Sequence, residues 1–378
     1  MPDKPLTIVF VRRGYSQTGG AEAYLKRLAR GVVDAGHNAQ LVTTKDWPQT
    51  EWPFGALHRI PSQSAIAFAN ELEQVRPRIP CDVLMSLERV WNCDVYRAGD
   101  GVHRAWLNRR QSLASPLSNF FRHLSLKHNH ILRLEESLLR DRRTGRIIVN
   151  SQMVKNEIVA LYRYPAAKID IVRNGVPVSK FREAVAERKQ SRAAFALAAD
   201  EIAVLFAGSG WERKGLRFAI KAVETCPDLK LRLFVAGRGN RGRYKSSRVQ
   251  FLGTVADLSR VYTAADVFIL PTIYDPFSNA CLEALACGLP VITSRNNGFS
   301  EIIEEGVHGS IVDSANDIVG LGDAIRFWSD AARRAAVRST NMQYAAQFDI
   351  SKNVARTLEI VVQAAASAAS ASGKIRNT

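Results

Sequence analysis

The chain alternates short apolar runs with longer segments in which apolar and polar positions recur at helical spacing. An apolar run over 6–11 leads through a glycine-containing loop into an amphipathic stretch over 21–35. Short apolar runs bounded by turn residues are typical of buried strands, and longer periodic stretches are typical of helices. In the first half the pattern predicts strands at 6–11, 39–43, 82–86, 93–97, 146–150 and 169–172.

A turn and a polar stretch separate this half from a second one. Asn174 and Gly175 followed by Pro177 form a turn signal, and the polar stretch after them runs to about residue 200. Beyond it the pattern predicts strands at 202–207, 230–236, 249–252, 267–270 and 290–293, and helices at 216–225 and 279–287.

This alternation predicts the α/β class, because a helix after each strand returns the chain to a parallel sheet. We expect two Rossmann-like, doubly wound domains over 1–176 and 177–349 that face a central cleft. A C-terminal helix over about 350–370 is expected to pack back on the first domain. The length of 378 residues agrees with two domains.

The composition bears on the cellular compartment of the protein and on the kinds of site that it can contain. No apolar stretch approaches the roughly 18 residues that span a bilayer, and the start of the chain lacks the apolar core of a signal peptide. The 5 cysteines are scattered and never form a Cys-x-x-Cys pair, which argues against a zinc site or a disulfide framework. We therefore expect a cytoplasmic protein with reduced cysteines.

The net charge of +16 calls for an anionic partner, and much of the excess lies between 104 and 143. Aromatic and basic residues are interleaved there, which suits an anionic membrane surface; the alternative is a helix packed on the first domain with a solvated basic face. No helix-turn-helix, RNA-recognition or zinc-finger signature supports a nucleic-acid partner. The candidate membrane-contact residues are Arg109, Arg110, Phe120, Phe121 and Arg122.

Two glycine-containing loops are candidates for binding an anion. Gly19 and Gly20 lie between the first predicted strand and helix, where backbone N–H groups can approach a ligand, although they can also serve only a tight turn. They do not form the Gly-x-Gly-x-x-Gly pattern of dehydrogenases. The segment GSGWERKG (208–215) places Arg213 and Lys214 directly after a buried strand, which suits a diphosphate; a solvated basic turn is the alternative.

A third segment combines two acids with a helix start. Asp275 follows the strand over 267–270, Ser278 is a candidate N-cap, and Glu283 lies in the second turn of the following helix. The N–H groups near Asn279 and Ala280 suit a phosphate. Because a carboxylate can accept two hydroxyl hydrogen bonds, the two acids can bind two sets of sugar hydroxyls.

Together these segments resemble the family-four retaining glycosyltransferases of the GT-B fold, and they look closest to the lipopolysaccharide core (heptosyl) α-1,3-glucosyltransferases. The resemblance covers nearly the whole chain. It is carried by the Gly19-Gly20 loop, the turn at 174–176, the Arg-Lys-Gly at 213–215, the two acids at 275 and 283 and the Gly-Leu-Pro-Val at 288–291.

The resemblance implies roles for these residues. Arg213 and Lys214 would bind the donor diphosphate, Glu283 the nucleotide ribose, and Asp275 the hydroxyls of the donor sugar. Asp275 stands where the family usually has Glu, which is one methylene longer, so the identity of the donor sugar stays open. Asp100 matches an aspartate of close relatives and follows the strand over 93–97, and with His103 it is the acceptor-side candidate.

The implied reaction retains the configuration of the sugar. A double displacement would need a second carboxylate about 5 Å from the leaving oxygen, and nothing in the sequence marks such a nucleophile. The hypothesis is front-side transfer in which Arg213 and Lys214 stabilise the leaving diphosphate and Asp100 lies on the acceptor side, without a metal or another cofactor.

The expected donor is UDP-glucose, with UDP-galactose, UDP-GlcNAc and GDP-mannose as alternatives. The expected acceptor is the lipopolysaccharide core or another lipid-linked glycan, which would place the enzyme on the inner face of the plasma (inner) membrane. A nucleotide-sugar epimerase of GT-B fold is the alternative function. A phosphorylase is disfavoured because no segment marks a lysine for pyridoxal phosphate.

Overall fold

A computed structural model describes residues 4–16, 20–62, 64–112, 126–141 and 143–375, with side chains up to 367. The chain forms two compact units: residues up to 172 together with those from 353 onward, and residues 173–352. Across the described ranges no helix combines the length and the apolar character needed to cross a bilayer.

The first unit contains a sheet of seven parallel strands among its described residues, in the order β3-β2-β1-β4-β5-β6-β7. The order reverses at β1, which pairs with β2 on one side and with β4 on the other. The strands are β1 (Thr7–Val11), β2 (Asn38–Thr44), β3 (Leu57–Ile60), β4 (Val83–Ser86), β5 (Cys93–Arg97), β6 (Thr144–Val149) and β7 (Ile169–Ile171).

Amphipathic helices cover this sheet. The first of them buries Leu25, Leu28 and Val32 against Ile8 and Phe10 of β1. Such burial stabilises each large side chain by about 1.5–3 kcal/mol. The helices described before residue 173 are α1 (Gly20–Asp34), α2 (Ala65–Val75), α3 (His103–Ser112), α4 (Leu126–Leu139) and α5 (Gln152–Tyr162).

The last helix of the chain completes the core of the first unit. It runs over Ile350–Ile375 and inserts Ile360, Val361 and Ala365 into the cluster formed by β1, β2 and α1. The fit is tight, since a Cβ added at Gly31 of α1 would lie 2.6 Å from Val354 Cγ1.

The second unit repeats the architecture with six parallel strands in the order β10-β9-β8-β11-β12-β13. Here the order reverses at β8, which lies between β9 and β11. The strands are β8 (Ile202–Ala207), β9 (Leu231–Ala236), β10 (Val249–Gly253), β11 (Val267–Leu270), β12 (Val291–Ser294) and β13 (Gly309–Val312).

Helices cover the sheet of this unit. They are α6 (Val178–Ala184), α7 (Arg188–Ala194), α8 (Trp211–Lys214), α9 (Leu216–Glu224), α10 (Ser259–Ala264), α11 (Asn279–Ala286), α12 (Ile318–Ser329) and α13 (Ala331–Ala345); the closing helix that packs in the first unit is α14 (Ile350–Ile375).

The chain enters and leaves the second unit along neighbouring segments. Val176 N–H donates to Phe348 O at 3.1 Å, and Ile350 N–H donates to Val176 O at 3.1 Å. Gly175 permits this approach, because a Cβ there would lie 2.7 Å from Ile350 Cα. The two units therefore divide at 172/173 and 352/353, a few residues from the predicted boundaries at 176 and 349.

The predicted α/β class with two Rossmann-like sheets is confirmed. The predicted strands agree with the observed ones to within two residues at each end. The sequence pattern missed two strands at the sheet edges, β3 and β13. Both are short and carry few fully buried residues, so their apolar pattern is weak.

Candidate functional site

The candidate site of the second unit lies where the strand order reverses. β8 and β11 are neighbours, so the loop that follows Ala207 and the loop that follows Leu270 leave the same edge of the sheet side by side. Ligands of doubly wound sheets bind at this kind of position. All four predicted charged donor residues, Arg213, Lys214, Asp275 and Glu283, belong to this unit.

The loop after β8 is shaped by glycines and docked onto the loop after β11. The carbonyl of Arg213 accepts hydrogen bonds from Thr272 Oγ1 at 3.0 Å and from Ile273 N at 2.8 Å. Gly215 has φ 79°, and a Cβ there would lie 1.8 Å from Pro271 O. Only glycine fits at this contact, which fixes Arg213 and Lys214 against the second loop.

Lys214 and Asp275 form a buried ion pair. Nζ of Lys214 lies 2.7 Å from Asp275 Oδ2, with side chains 13% and 7% exposed. Burial raises the pKa of the Asp275 carboxyl, but Lys214 and Arg213 outweigh it, so its pKa is lowered overall. Arg213 Nη1 also donates to Tyr274 O at 3.3 Å. The structure therefore brings the predicted cations and the first acid together.

Asn297 supports this loop, and the sequence analysis missed it. It is fully buried, and its Oδ1 accepts from Ser278 N at 3.3 Å and Phe299 N at 3.1 Å, while Nδ2 donates to Thr293 Oγ1 at 3.0 Å. Main-chain bonds from Asp275 N to Asn296 O and from Gly298 N to Asp275 O, both 2.9 Å, join the same segments. A lone Asn after a strand carries no local signal of this role.

Helix α11 starts at Asn279, with Ala280 in its first turn. Ser278 occupies the N-cap position, but its side chain makes no capping hydrogen bond, so the predicted cap is wrong in this respect. The hydroxyl is buried and its Oγ accepts no helix N–H, while the Ser278 N–H donates to Asn297 Oδ1. Asn174 Nδ2 donates to Phe277 O at 3.0 Å and to Asn279 Oδ1 at 2.9 Å.

Glu283 lies one turn further along α11 and is held by a buried tyrosine. Tyr262 OH donates to Glu283 Oε2 at 2.9 Å. Burial, followed by the charge of Glu283, raises the pKa of the Tyr262 hydroxyl well above its usual value. The tyrosine therefore stays protonated as a donor and orients the carboxylate.

The acceptor-side candidates lie in the first unit, after β5. Asp100 is exposed in the turn after that strand. His103 begins α3, where its Nε2 lies 3.0 Å from His128 Nδ1. Burial, followed by the charge of Arg89, lowers the pKa of His103 to about 4. His103 is therefore neutral at neutral pH, and its ring is engaged with a second histidine.

A buried carboxylate fixes the start of α3. Glu135 of α4 accepts from the main-chain N–H groups of His103 at 2.6 Å and Arg104 at 3.1 Å, and Arg89 Nε donates to it at 2.9 Å. This contact anchors the helix that carries His103. Sequence spacing gives no sign of it, because Glu135 lies more than thirty residues further along the chain.

Arg12 bridges two carboxylates at the carboxyl edge of the first sheet. It donates to Glu88 Oε1 at 2.7 Å and to Glu22 Oε1 at 3.1 Å. Glu22 lies in the first turn of α1, which begins at Gly20, while Gly19 lies outside the described residues. This cluster carries no sequence motif and was not predicted.

Part of the proposed membrane-contact set can be located. Arg109 forms an ion pair with Glu157 at 2.5 Å, and Arg110 lies over the Trp106 ring with its Cζ 5.6 Å from the centroid. Phe120, Phe121 and Arg122 fall outside the described residues. No group of three or more His, Cys, Asp or Glu arranged to hold a metal ion is found in the described ranges.

Comparisons with known proteins agree with this arrangement. A family model described as Glycosyltransferase Family 4 matches residues 18–180, and one described as Glycosyl transferases group 1 matches residues 201–329. The two matches fall on the first and the second unit respectively.

Curated relatives point to the same class. A glycosyltransferase of Methanocaldococcus jannaschii is 30% identical over 177 residues, which are 43% of this chain and 45% of the relative. A D-inositol 3-phosphate glycosyltransferase of Pseudarthrobacter chlorophenolicus is 26% identical over 399 residues, covering 92% of this chain and 90% of the relative. For several further relatives the chain spans about half of their length.

Solved structures share the fold. WaaG, a glycosyltransferase involved in lipopolysaccharide biosynthesis, superposes with a TM-score of 0.79 at 20% identity, covering 94% of this chain and 99% of WaaG. HepE of Anabaena, in complex with UDP and glucose, superposes with a TM-score of 0.70 at 18% identity, covering 95% and 100%. These structures share the GT-B fold with the chain, and the two family models make it similar to family 4 and group 1 glycosyltransferases over residues 18–180 and 201–329.

Proposed function

We propose that the protein transfers a hexose from a nucleotide sugar to a glycan acceptor, with retention at the anomeric carbon. The observation that carries the proposal is the buried Lys214–Asp275 pair beside Arg213, at the position where the strand order of the second sheet reverses. The two cations match the diphosphate of a nucleotide sugar, and the carboxylate matches the hydroxyls of its sugar.

Each charged side chain has a part in this proposal. Arg213 and Lys214 bind the diphosphate of the donor, together with the N–H groups at the start of α11 near Ser278, Asn279 and Ala280. Asp275 accepts hydrogen bonds from hydroxyls of the donor sugar. Glu283, oriented by Tyr262, accepts those of the ribose.

The transfer proceeds on one face of the sugar. The bond from the anomeric carbon to the diphosphate oxygen breaks as the acceptor oxygen bonds to the same carbon, and the acceptor proton passes to the departing phosphate oxygen. Arg213 and Lys214 stabilise the negative charge that develops on the leaving group. In this proposal the protein's own cations do this work, with no metal and no other cofactor, and Asp100 lies on the acceptor side.

Glucose from UDP-glucose is the proposed donor group, and the lipopolysaccharide core or another lipid-linked glycan is the proposed acceptor. The support for the donor is the fold shared with HepE, whose crystal structures hold UDP and UDP-glucose. The support for the acceptor is the fold shared with WaaG.

A lipid-linked acceptor requires the enzyme to work at a membrane surface. We propose a peripheral position on the inner face of the inner membrane, held by the basic and aromatic segment between 104 and 143. Its support is the charge of that segment within a chain of net charge +16.

A panel of nucleotide sugars tests the reaction. UDP-glucose, UDP-galactose, UDP-GlcNAc and GDP-mannose are each incubated with and without deacylated lipopolysaccharide core oligosaccharide, and released nucleoside diphosphate is measured. We expect slow release from UDP-glucose alone and faster release with the oligosaccharide. Equal release with and without acceptor, accompanied by a free epimer of the sugar, would show an epimerase instead. No release from any donor would refute the transferase proposal.

A further inference from the structure

We propose that Glu88 binds hydroxyl groups of the acceptor sugar and so helps to select the acceptor; this inference rests on the proposed function. Glu88 is paired with Arg12 where β1 and β4 end. The donor contacts proposed above use only residues of the second unit, whereas Glu88 belongs to the first. Its contribution concerns the acceptor alone.

The position of Glu88 in the sheet is the first support. Val11 of β1 and Ser86 of β4 are partners in the parallel ladder, so the residues that follow each strand leave the sheet together. The strand order reverses at β1, which pairs with both β2 and β4. Arg12 and Glu88 therefore stand in the first unit where Lys214 and Asp275 stand in the second, at the edge where such sheets bind ligands.

The main chain at Glu88 is held rigidly. Ser86, which is fully buried, receives the Glu88 N–H on its Oγ at 3.1 Å and donates its hydroxyl to Glu88 O at 2.7 Å. Glu88 Oε1 accepts from Arg12 at 2.7 Å. Because both the main chain and one carboxylate oxygen are fixed, the direction of the second oxygen is fixed as well, as a binding group requires.

The Glu88 carboxylate is also contacted by Arg13, through its main-chain N–H and its charge. Glu88 Oε2 lies 3.9 Å from Arg13 Nε, which is longer than a hydrogen bond. Arg12 also pairs with Glu22 at 3.1 Å, whose side chain is 7% exposed against 16% for Glu88. A carboxylate has about four lone-pair positions, so Glu88 can accept a sugar hydroxyl beside these contacts.

The electrostatics favour a hydroxyl ligand over more cations. Burial raises the pKa of the Glu88 carboxyl, with Arg12 and Arg13 opposing the shift and Asp100 adding to it. A carboxylate that has lost part of its hydration gains from the O–H groups of a sugar, which restore hydrogen bonds without adding charge. Asp100, the acceptor-side candidate, acts on both Arg12 and Glu88 through its charge, which links the two carboxylates to one region.

The test compares Glu88→Gln with Glu22→Gln in the full-length protein. Both variants remove one of the two charges that pair with Arg12, but only Glu88 follows a strand at the sheet's ligand-binding edge. Binding of deacylated core oligosaccharide is measured by saturation-transfer NMR without donor, and the KM for the same oligosaccharide is measured in the transfer assay. Donor hydrolysis without acceptor is the third readout.

We expect Glu88→Gln to weaken oligosaccharide binding and to raise its KM by about 10- to 100-fold, because a hydrogen bond to a charged group is lost. Donor hydrolysis should stay within about twofold, and Glu22→Gln should bind the oligosaccharide like the unaltered protein. Equal losses in the two variants, an unchanged Glu88→Gln, or no oligosaccharide binding by the unaltered protein would overturn the inference. Absence of donor hydrolysis would count against the proposed function alone, since the binding measurement needs no donor.

Discussion

Lys214 and Asp275 each offset the free-energy cost of burying the other's charge. Their side chains lie 2.7 Å apart and are almost fully enclosed, so the loss of either leaves a charge without its partner. Breaking such a pair costs about 3–5 kcal/mol of stability, more than an exposed pair would. The same lysine is the proposed ligand of the diphosphate, so one side chain serves both the empty and the occupied site.

The first prediction concerns this lysine. Lys214→Ala should lower the rate of UDP-glucose hydrolysis by about 10- to 100-fold, because a charged hydrogen bond to the leaving group is worth about 1.5–3 kcal/mol. Hydrolysis is measured at saturating donor to separate rate from binding.

The control is Lys221→Ala, which removes an exposed cation from the last turn of α9. It should leave hydrolysis unchanged. A Lys214→Ala protein that folds and keeps full turnover would rule out the diphosphate role.

The residues of the candidate site could be predicted from the sequence only where they stand at a recognisable position next to a predicted strand or helix. Arg213, Lys214 and Asp275 follow strands and Glu283 lies in the second turn of the next helix, and that placement was visible in the pattern. Their partners were not visible. Asn297 and Tyr262 come from other segments of the second unit, and nothing in their own neighbourhoods indicates a contact with the site.

At the scale of elements, α14 shows how the first unit depends on the end of the chain. Ile360 and Val361 are essentially unexposed and pack with Ile8, Phe10 and Leu25. The sequence predicted this helix from its composition. Its packing on the first domain was expected from the sequence, but the individual contacts could not be named because they join residues more than three hundred positions apart.

We predict that Ile360→Ala destabilises the first unit by about 2–5 kcal/mol, because it leaves a cavity in a closely packed cluster. Amide hydrogen exchange should quicken in β1, β2 and α1, while UDP affinity, which depends on the second unit in our proposal, should stay unchanged.

Glu359→Ala is the matched control. Its side chain is 58% exposed on the preceding position of the same helix, so stability should change by no more than about 0.5 kcal/mol. Faster exchange in β8 and β11 to the same degree as in β1 would contradict the assignment of α14 to the first unit.

At the scale of the whole molecule, the charge of +16 is the property that the fold alone does not explain. The described part of the basic segment is partly neutralised: Arg109 pairs with Glu157 and Arg104 with Glu136. The proposal of a membrane surface therefore depends on residues such as Arg110 and Arg122, of which Arg122 lies outside the described residues.

Vesicle flotation tests this proposal. The protein should float with vesicles that contain an anionic lipid and not with neutral ones, and binding should fall as salt rises, because screening weakens surface charges. Replacing Arg110 and Arg122 together by Ser should lower binding roughly tenfold or more, since each contributes about 1 kcal/mol.

The control removes the same charge elsewhere, by Arg238→Ser with Arg243→Ser, two exposed positions of the second unit. Equal losses in the two double variants would show that net charge alone governs binding. Flotation that is insensitive to lipid charge and to salt would remove the membrane surface from the proposed function.

The bridge between Val176 and Asp349, where the chain enters and leaves the second unit, bears on how units of such proteins can be exchanged. The second unit is one continuous insert whose two ends already touch through main-chain hydrogen bonds, at a point where Gly175 permits the close approach. The corresponding unit of another protein can therefore replace it through two splices at one place, while the first unit keeps its closing helix. If the second unit binds the donor as we propose, donor and acceptor preference can then be exchanged separately.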